Sequence, residues 1–366
     1  MIVTWYGDKK DKFTGNFHTD MAKALLARND VAIYFPFDRN ANEQFSCEIE
    51  DGILVFRGSI MSRVIKKYVK IKNDFENIQK IFNPDVIHAH VCQGAGVIAM
   101  YLRMIFNIPY IITEHAPVEM ITWGIKSKIK YWLVTKHSQA NIAVSPDLRD
   151  KLNCIFKRSN FIYINNGVND PLPMIKTSIF ECEENVINCS VIGGLYSKDI
   201  KGLQYLLPAM QRIVKDGYRV TLHVCGGGKY LDYFKQYAVD LNISDNIMFH
   251  GMCDKETLYE IVNNCDFNIS ASLFESAGVA VEEACLLGKP QVITNSGGAN
   301  SLIPDKFAIK TGKSSVDELY KGIKEMLVKF PEYNQEEIRE YGLKEFLMEQ
   351  SCYQYENIYA FVVHNR

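Results

Sequence analysis

The chain has 366 residues, a length that suggests two domains of ordinary size rather than a single core. Hydrophobic residues make up 47% of it and charged residues 23%, a balance typical of globular proteins. The formal net charge of -2 provides no overall field that would recruit nucleic acid, so no nucleic-acid partner is expected.

The first residues, MIVTWYG, lead directly into a predicted strand and show no basic segment followed by an apolar one. No run approaches about 18 uninterrupted apolar residues, so we expect neither a signal peptide nor a membrane-spanning helix. The ten cysteines are scattered, without a C-x-x-C pair or metal-ligand spacing. Several, such as Cys225 and Cys285, lie in apolar runs typical of buried thiols, which favours a reducing cytoplasm.

The first half of the sequence alternates short apolar strands with amphipathic helices. Strands are predicted at residues 1–6, 31–35, 53–57, 85–88, 110–113, 140–144 and 161–164. Helices are predicted at residues 17–28, 63–82, 94–106 and 121–136. This repeated order implies a parallel sheet with helices on both faces.

The composition changes at residues 170–184, where two prolines lead into an acidic stretch, and a second strand–helix series follows. Its strands are predicted at residues 188–192, 219–224, 247–250, 267–269 and 291–294, and its helices at 203–216, 230–241, 256–264 and 279–287. We therefore predict one domain at 1–172, a second domain at 173–345 and a helix at 346–366 that packs on the first domain. The fold class is α/β, with two Rossmann-like domains whose parallel sheets face a central cleft.

The stretch from residue 267 to 303 holds two carboxylates at a strand-to-helix junction. Glu275 precedes the turn at Gly278, and Glu283 follows about one turn into the helix. Such a junction lies at the carboxyl edge of a parallel sheet, and N–H groups at Gly278 and Val279 would suit a phosphate there. Carboxylates beside an anion site fit a ligand that also carries hydroxyls. The pattern thus favours a nucleotide sugar, with the neighbouring Glu282 solvated.

The segment SLFESAGVAVEEACLLGKPQV resembles the donor-site signature of family 4 glycosyltransferases, retaining enzymes of the GT-B fold. Two glutamates separated by seven residues are its diagnostic feature, met here by Glu275 and Glu283. Further segments resemble the family in the same order: PDVIHAH, IPYIITEHA, INNGVN, KGLQYLLPAM, LHVCGGGKY and IMFHGM. The resemblance covers nearly the whole chain, and it implies that the domain at 1–172 binds the acceptor and that the domain at 173–345 binds the nucleotide sugar.

The resemblance implies a role for each matching residue. Glu275 would lie beside the donor sugar, Glu283 would bind the ribose hydroxyls, and His115 would act near the reacting end of the donor. His18 could face the acceptor or lie on the surface. The remaining donor-binding candidates are mostly backbone positions: Gly15, Gly226, Gly227, His250, Gly251, Met252, Gly278 and Val279.

The family holds the donor diphosphate with an arginine and a lysine, and only one of these cations is present here. Lys201 matches the lysine, whereas Gly194 occupies the arginine position. Lys198, in a loop one residue longer than usual, is a candidate substitute. The departure matters because a cation in a dry site stabilises a leaving diphosphate substantially.

No metal or other cofactor is expected. No D-x-D motif, common in metal-dependent glycosyltransferases, occurs in the chain. His88 and His90 flank Ala89 at a strand end, but they are expected on opposite faces, and no third ligand is visible nearby in the sequence.

Two basic stretches in the first domain have no place in the signature. One comprises Arg57, Arg63, Lys66, Lys67, Lys70 and Lys72, and the other interleaves Lys126, Lys128, Lys130 and Lys136 with Trp123, Tyr131 and Trp132. They are either a solvated helix face or a docking surface for the anionic inner face of a membrane. In the second case, each basic residue near the membrane would contribute about 1 kcal/mol to the binding free energy. The second hypothesis implies peripheral membrane contact and a lipid-linked acceptor.

The sequence therefore predicts a retaining, metal-independent transfer of a sugar from a nucleotide diphosphate sugar, UDP-sugar favoured, to a saccharide or lipid-linked hydroxyl acceptor. Bacterial surface polysaccharide or glycolipid assembly is the expected setting, by analogy. One alternative is a nucleotide-sugar epimerase or hydrolase on the same fold. Another is a non-catalytic sugar-nucleotide-binding partner subunit. A nicotinamide enzyme is disfavoured because no G-x-G-x-x-G follows the first strand.

Overall fold

The computed structural model describes residues 1–7, 15–38, 45–59, 64–121, 123–176 and 185–365. The chain divides into two compact units. Unit 1 comprises Met1–Gly167 together with Met348–Arg366, and unit 2 comprises Val168–Leu347. Arg63, named above among the basic residues, lies outside the described residues.

Unit 1 is built on strands that are parallel with one exception. The strands are β1 (Ala32–Phe35), β2 (Ser46–Glu50), β3 (Ile53–Arg57), β4 (Ile87–His90), β5 (Tyr110–Glu114), β6 (Asn141–Ala143) and β7 (Phe161–Tyr163). They pair in the orders β1-β3-β2 and β4-β5-β6-β7, and β2 runs antiparallel to β3. Ile2 forms parallel bridges to both Tyr34 and Ala89, which joins the two groups. The predicted strand at residues 1–6 is thus reduced to bridges at Ile2.

The helices of unit 1 follow the strands in alternation. They are α1 (Asn16–Leu25), α2 (Val64–Gln79), α3 (Val97–Phe106), α4 (Ile125–His137) and α5 (Pro146–Ile155). A π-helical turn, Val91–Gly96, precedes α3 where the sequence predicted ordinary helix from residue 94. Helix α5 and strand β2 were not predicted.

Unit 2 contains a six-stranded, fully parallel sheet. Its strands are β8 (Ile187–Ile192), β9 (Val220–Cys225), β10 (Ile247–Gly251), β11 (Phe267–Ser270), β12 (Gln291–Thr294) and β13 (Ala308–Thr311). The order β10-β9-β8-β11-β12-β13 is that of a doubly wound sheet, in which the direction of winding reverses between β8 and β11. The predicted parallel α/β architecture is confirmed.

The helices of unit 2 are α6 (Leu203–Lys215), α7 (Leu231–Asp240), α8 (Lys255–Asn264), α9 (Val279–Leu286), α10 (Gly298–Leu302), α11 (Val316–Lys329) and α12 (Gln335–Phe346). Strand β13 and helices α10 and α11 were not predicted. Leucines and isoleucines of α6 and α11 pack with β8, β9 and β11 in one large core.

The last helix, α13 (Met348–His364), belongs to unit 1. Its Tyr355 packs with Ile111 and Ile142 of the sheet, and its Glu356 accepts a hydrogen bond from Arg28 at 3.2 Å. Among the described residues, no helix combines the length and apolar character needed to cross a bilayer.

Candidate functional site

In unit 2, the loops after β8 and β11 leave neighbouring strands at the point where the winding of the sheet reverses. The two loops are in close contact, since Leu273 N–H donates to Ile200 O at 2.8 Å. A Cβ at Gly202, which has a φ of +70°, would lie 1.9 Å from Ala271 O, so only glycine fits there. In doubly wound folds ligands bind at this point of the sheet.

An ion pair joins these loops. Lys201 Nζ lies 2.6 Å from Glu275 Oε1, and the two side chains are 24% and 17% exposed. Glu275 Oε1 also accepts the Ser272 hydroxyl at 2.8 Å. The Lys201 side chain passes over Gly193, where a Cβ would lie 2.7 Å from Lys201 Cε. The structure therefore brings two of the predicted catalytic side chains into direct contact.

The main chain of Glu275 is held as firmly as its side chain. Glu275 N–H donates to Ser296 O at 2.9 Å, and Gly298 N–H donates to Glu275 O at 2.8 Å. Neither Ser272 nor Gly193 was predicted as a supporting residue. Ser272 lies three positions before the predicted site residue Glu275, and Gly193 immediately precedes Gly194.

Gly194, at the position of the family's arginine, lies against an aromatic ring. A Cβ at Gly194 would be 2.6 Å from Tyr196 Cε2, so the tyrosine ring occupies the space where a side chain would begin. Tyr196 is 54% exposed. Lys198, the candidate substitute, places its ammonium 3.9 Å from the ring centroid of Tyr233. In this structure Lys198 is therefore engaged in a cation–π contact.

The predicted nucleotide loops of unit 2 meet at their glycines. Gly226 bridges to Gly251, and Gly227 N–H lies 3.2 Å from Met252 Sδ. A Cβ at Gly226 would lie 2.0 Å from Gly193 O. The loops after β8 and β9 thus approach each other through backbone at Gly193 and Gly226, while the side chain of Met252 brings the loop after β10 against Gly227.

His250 is held from within the sheet. Its Nε2 lies 3.0 Å from Nδ1 of His223, whose Nε2 in turn lies 3.0 Å from Asn188 Oδ1. Burial lowers the pKa of His223 to about 4, and it also lowers the pKa of His250. Both imidazoles are therefore neutral near pH 7.

Helix α9 begins at Gly278, whose φ is +107°. A Cβ there would lie 2.8 Å from Ala299 Cβ. The N–H groups of Gly278 and Val279 stand at the start of the helix, where no preceding turn offers them a carbonyl and where the helix dipole favours an anion. Both positions thus have the backbone geometry that the sequence predicted.

The two adjacent glutamates of α9 have different surroundings. Glu283 is buried, and its Oε1 accepts the Tyr259 hydroxyl at 3.0 Å. Glu282 is 0% exposed, and neither of its oxygens has a hydrogen-bond partner among the described residues. The expectation that Glu282 is solvated was wrong, because the last six residues of α9 are all buried. Burial, and then the charge of Glu283, raise the pKa of Glu282 to about 8.

In unit 1, His115 follows β5 and contacts a second histidine. Its Nε2 lies 2.9 Å from His90 Nδ1, and its ring centroid lies 4.9 Å from that of Phe17. Gly15, with a φ of +76°, starts the helix that carries Phe17, and a Cβ there would lie 2.7 Å from Trp5 O. Burial lowers the pKa of His115 to about 3, so the imidazole is neutral.

His18 is fully buried, which corrects the alternative that placed it on the surface. The expectation that His88 and His90 lie on opposite faces of the strand was also wrong. Their ring centroids lie 4.1 Å apart, because residues two positions apart share one face of a strand. Burial lowers the pKa of all three imidazoles well below the usual histidine range.

Glu114 fixes the chain at His115 and was not identified from the sequence. Its buried carboxylate accepts the N–H groups of Cys92, His115 and Ala116 and the hydroxyl of Tyr131, at 2.9–3.1 Å. The neighbouring turn is strained, since Val91 adopts a φ of +77°, which a β-branched residue rarely does. Strain of this kind often accompanies functional sites.

Two protein families match this chain. Residues 191–344 match the family described as Glycosyl transferases group 1, and residues 15–170 match Glycosyltransferase Family 4. The first match includes the ion pair between Lys201 and Glu275, and the second includes His18, His90 and His115.

Named relatives are moderately similar. The alpha-monoglucosyldiacylglycerol synthase of Streptococcus pneumoniae is 27% identical over 287 residues, which cover 72% of this chain and 63% of that protein. An uncharacterized glycosyltransferase of Methanocaldococcus jannaschii is 24% identical over 238 residues, 60% of each chain. The chain thus spans 60–63% of the length of these two curated relatives.

Solved structures share the fold over nearly the entire chain. Sucrose-phosphate synthase from Thermosynechococcus elongatus has a TM-score of 0.81 at 16% identity, covering 100% of this chain and 99% of that one. Anabaena HepE in complex with UDP has a TM-score of 0.75 at 17% identity, covering 97% and 98%. This likeness confirms the predicted GT-B fold class.

We predict that Glu282 makes the stability of the protein depend on pH. Its carboxyl has a folded pKa of about 8 against an ordinary value of 4.5, so the folded state binds the proton more tightly. The stabilisation of the folded state by this bound proton is complete below the ordinary pKa. It is lost as the pH rises from there through the folded pKa. Replacing Glu282 by Gln removes the ionisable group. On the alkaline side, the free energy of unfolding of the variant should therefore exceed that of the wild type by at least about 1 kcal/mol.

Urea unfolding of both proteins at about pH 5 and about pH 8.5 measures this difference. Glu340→Gln, an exposed position on α12, is the matched control and should leave the pH dependence unchanged. Equal pH dependence in the Glu282 variant and the wild type would contradict the prediction.

Proposed function

Because the chain belongs to the group 1 and family 4 glycosyltransferases, we propose that it transfers a sugar from a nucleotide diphosphate sugar to a hydroxyl acceptor. The observation that carries the proposal is the ion pair of Lys201 and Glu275 at the point where the sheet of unit 2 reverses its winding. A cation for a diphosphate and a carboxylate for sugar hydroxyls stand side by side there.

Each part of the donor has a proposed partner in unit 2. The diphosphate binds Lys201 and the N–H groups at the start of α9. The sugar hydroxyls bind Glu275, and the ribose hydroxyls bind Glu283, whose orientation Tyr259 supports at 3.0 Å. The nucleotide lies along the glycine-lined loops after β9 and β10, where backbone rather than side chains would contact it. The closeness of the loop after β9 to Gly193 supports a continuous donor site.

The proposed reaction retains the configuration of the anomeric carbon and needs no metal. The bond from this carbon to the diphosphate breaks, and the leaving oxygen takes the electron pair while Lys201 stabilises its charge. The acceptor oxygen forms the new bond on the same face of the sugar. Its proton passes to the leaving phosphate, so no protein base is required. His115, a neutral imidazole in unit 1, is proposed to contact the reacting end by hydrogen bonding rather than by charge.

A second candidate function is favoured by one observation. At the arginine position, Gly194 and the ring of Tyr196 replace a cation. A donor site with one cation fewer would stabilise a leaving diphosphate less strongly, which suits a binding subunit or an enzyme that consumes the donor without an acceptor. We favour transfer because Lys201, Glu275 and Glu283 are all present in a supported geometry.

We expect UDP-sugars to bind best among UDP-, GDP- and ADP-sugars in a thermal-shift panel. Ligand at 100 times its Kd should stabilise the protein by about 2.7 kcal/mol. With a hydroxyl acceptor present, nucleoside diphosphate should be released, and NMR of the product should show the anomeric configuration of the donor.

Three outcomes would contradict the proposal, each in a different way. Release without acceptor would indicate a hydrolase, and conversion of the sugar within the donor would indicate an epimerase. Binding without release under any acceptor condition would indicate a non-catalytic binder. An inverted product would overturn the retaining mechanism alone.

We further propose that the acceptor is lipid-linked and that unit 1 meets it at an anionic membrane surface. On α4, Lys126, Lys128 and Lys130 are exposed, as are Ile125 (79% exposed) and Ile129 (53%). Basic and apolar side chains exposed on one helix suit the interface between headgroups and acyl chains.

The basic stretch that runs from Arg57 into helix α2 adds to this surface, although fewer of its charges are available than the sequence suggested. Burial, and then the charge of Lys130, lower the pKa of Lys67, which supports an electropositive region shared by α2 and α4. Arg57, in contrast, is buried and paired with Asp38 and Glu50, so it is removed from the proposed surface. The glucosyldiacylglycerol synthase among the relatives has a lipid in its name, which supports a lipid-linked acceptor.

We predict that the protein sediments with anionic vesicles and far less with neutral ones. Replacing Lys126, Lys128 and Lys130 together by Glu should weaken vesicle binding by roughly 100-fold or more, at about 1 kcal/mol per basic residue. Triple replacement of the exposed Lys215, Lys235 and Lys321 of unit 2 by Glu changes net charge equally and should leave most of the binding intact. Equal recovery of the wild type with neutral and anionic vesicles would rule the surface out.

A further inference from the structure

Three histidines from separate elements of unit 1 converge on one point. His18 lies in α1, His90 ends β4, and His115 follows β5. One ring nitrogen from each can be chosen so that all three lie within 4.8 Å of one another. His18 and His90 are 0% exposed, and Phe17 covers the cluster with its ring centroid 3.9 Å from that of His18.

The cluster leaves ring nitrogens without partners. Both nitrogens of His18, and Nε2 of His90, are buried and have no hydrogen-bond partner among the described residues. A buried polar atom left in this state costs about 1–3 kcal/mol. His88 is different, although its ring is close by: its nitrogens lie 2.7 Å from Tyr359 Oη and 2.7 Å from Thr113 Oγ1. His88 is therefore committed to a tyrosine and a threonine outside the cluster and is not a fourth ligand. The contact of His90 Nδ1 with His115 Nε2 at 2.9 Å, in contrast, joins two members of the cluster, and an ion bound between them would replace it.

The spacing of the rings suits a shared metal ion. Three imidazoles bound at about 2.1 Å around a tetrahedral ion have ring centroids about 5 Å apart. The observed distances are 4.5 Å for His18 to His90, 5.2 Å for His90 to His115, and 5.6 Å for His18 to His115. Three nitrogens at about 2.1 Å from one tetrahedral ion lie about 3.4 Å apart, whereas one nitrogen from each histidine is at present within 4.8 Å of the others, so the rings must turn toward a common centre when the ion binds.

We propose that His18, His90 and His115 form a binding site for a divalent transition-metal ion, with Zn²⁺ as the best fit. Three nitrogen ligands suit Zn²⁺, Ni²⁺ or Cu²⁺, whereas Mg²⁺ and Ca²⁺ require oxygen. The fourth tetrahedral position stays open to water or to an oxygen of a bound molecule. The sequence argument against a metal at His88 and His90 relied on the lack of a third ligand nearby in the sequence, and in our proposal His18 and His115 supply the further ligands to His90.

The consequence of metal binding, unlike the binding itself, rests on the proposed function. His115 is proposed to contact the reacting end of the donor. An ion bound to His115 withdraws that imidazole from the substrate, so Zn²⁺ is an inhibitor of a transfer that itself needs no metal. The site would thus couple activity to the availability of free zinc.

The site is tested by metal binding to the full chain after treatment with a chelator. We expect one Co²⁺ per chain with the visible spectrum of tetrahedral coordination, and Zn²⁺ should displace it. Because the chain also contains free cysteines, the spectrum should lack thiolate-to-cobalt charge-transfer bands. His18→Leu and His18→Gln remove one ligand. Each should weaken Zn²⁺ binding by more than the roughly 10–100-fold that outer-shell changes cost.

His137→Gln, at an exposed histidine on α4, is the matched control and should bind metal like the wild type. Circular dichroism identifies which His18 variant is folded. A folded His18 variant that keeps the tetrahedral Co²⁺ spectrum, or a wild type without it, would overturn the proposal. Zinc inhibition of transfer, relieved in the His18 variant, tests the consequence separately, so failure of the proposed function would leave the binding result standing.

Discussion

The ion pair between Lys201 and Glu275 is the interaction on which the proposed donor site of unit 2 depends. It links loops from β8 and β11, the two neighbouring strands at which the sheet reverses its winding. Gly193 gives the lysine side chain its path, and Ser272 holds the glutamate oxygen that accepts the ammonium. Removing either charge would leave the other partly buried without its partner. This would destabilise the protein more than breaking an ion pair on the surface.

The two units offer different chemistry. Unit 2 presents a fixed cation, carboxylates and helix N–H groups, which suit a diphosphate and hydroxyls. Unit 1 presents imidazoles that burial keeps neutral, so they can form hydrogen bonds or ligate a metal without carrying charge. Glu114 holds the chain at His115 through three N–H groups, which fixes the position of this imidazole. The proposed zinc site and the proposed role of His115 therefore use one property, a neutral nitrogen lone pair.

Much of the fold could be predicted because its signals are local. Hydrophobic strands, and the spacing of Glu275 and Glu283, depend on short stretches of sequence. Some local signals were available but not used. Asp51 and Gly52, with φ of +50° and +82°, form the two-residue turn that pairs β2 with β3. Ser145 caps α5 by accepting Leu148 N–H at 3.1 Å, an N-terminal signal present in the sequence.

Other features depend on contacts between distant parts of the chain. Glu282 is buried because α12 packs against α9 from outside, with Gly342 placed directly against Cys285 and Leu286. The meeting of His18, His90 and His115 follows from the order of strands in the sheet, which no single motif shows. Tyr196 lies against Gly194 because of the path of its own loop. Periodicity and motif spacing carry none of this information.

The most direct test of the ion pair's role is the transfer rate of Glu275→Gln, measured beside its affinity for the free nucleoside diphosphate. The substitution keeps the shape of the side chain but removes the charge that holds Lys201 and that is proposed to contact the sugar. The rate should fall by roughly 100-fold or more, while the nucleoside diphosphate binds about as well as to the wild type, because Lys201 is still present. A variant that transfers sugar at the full wild-type rate would contradict the central role of this ion pair.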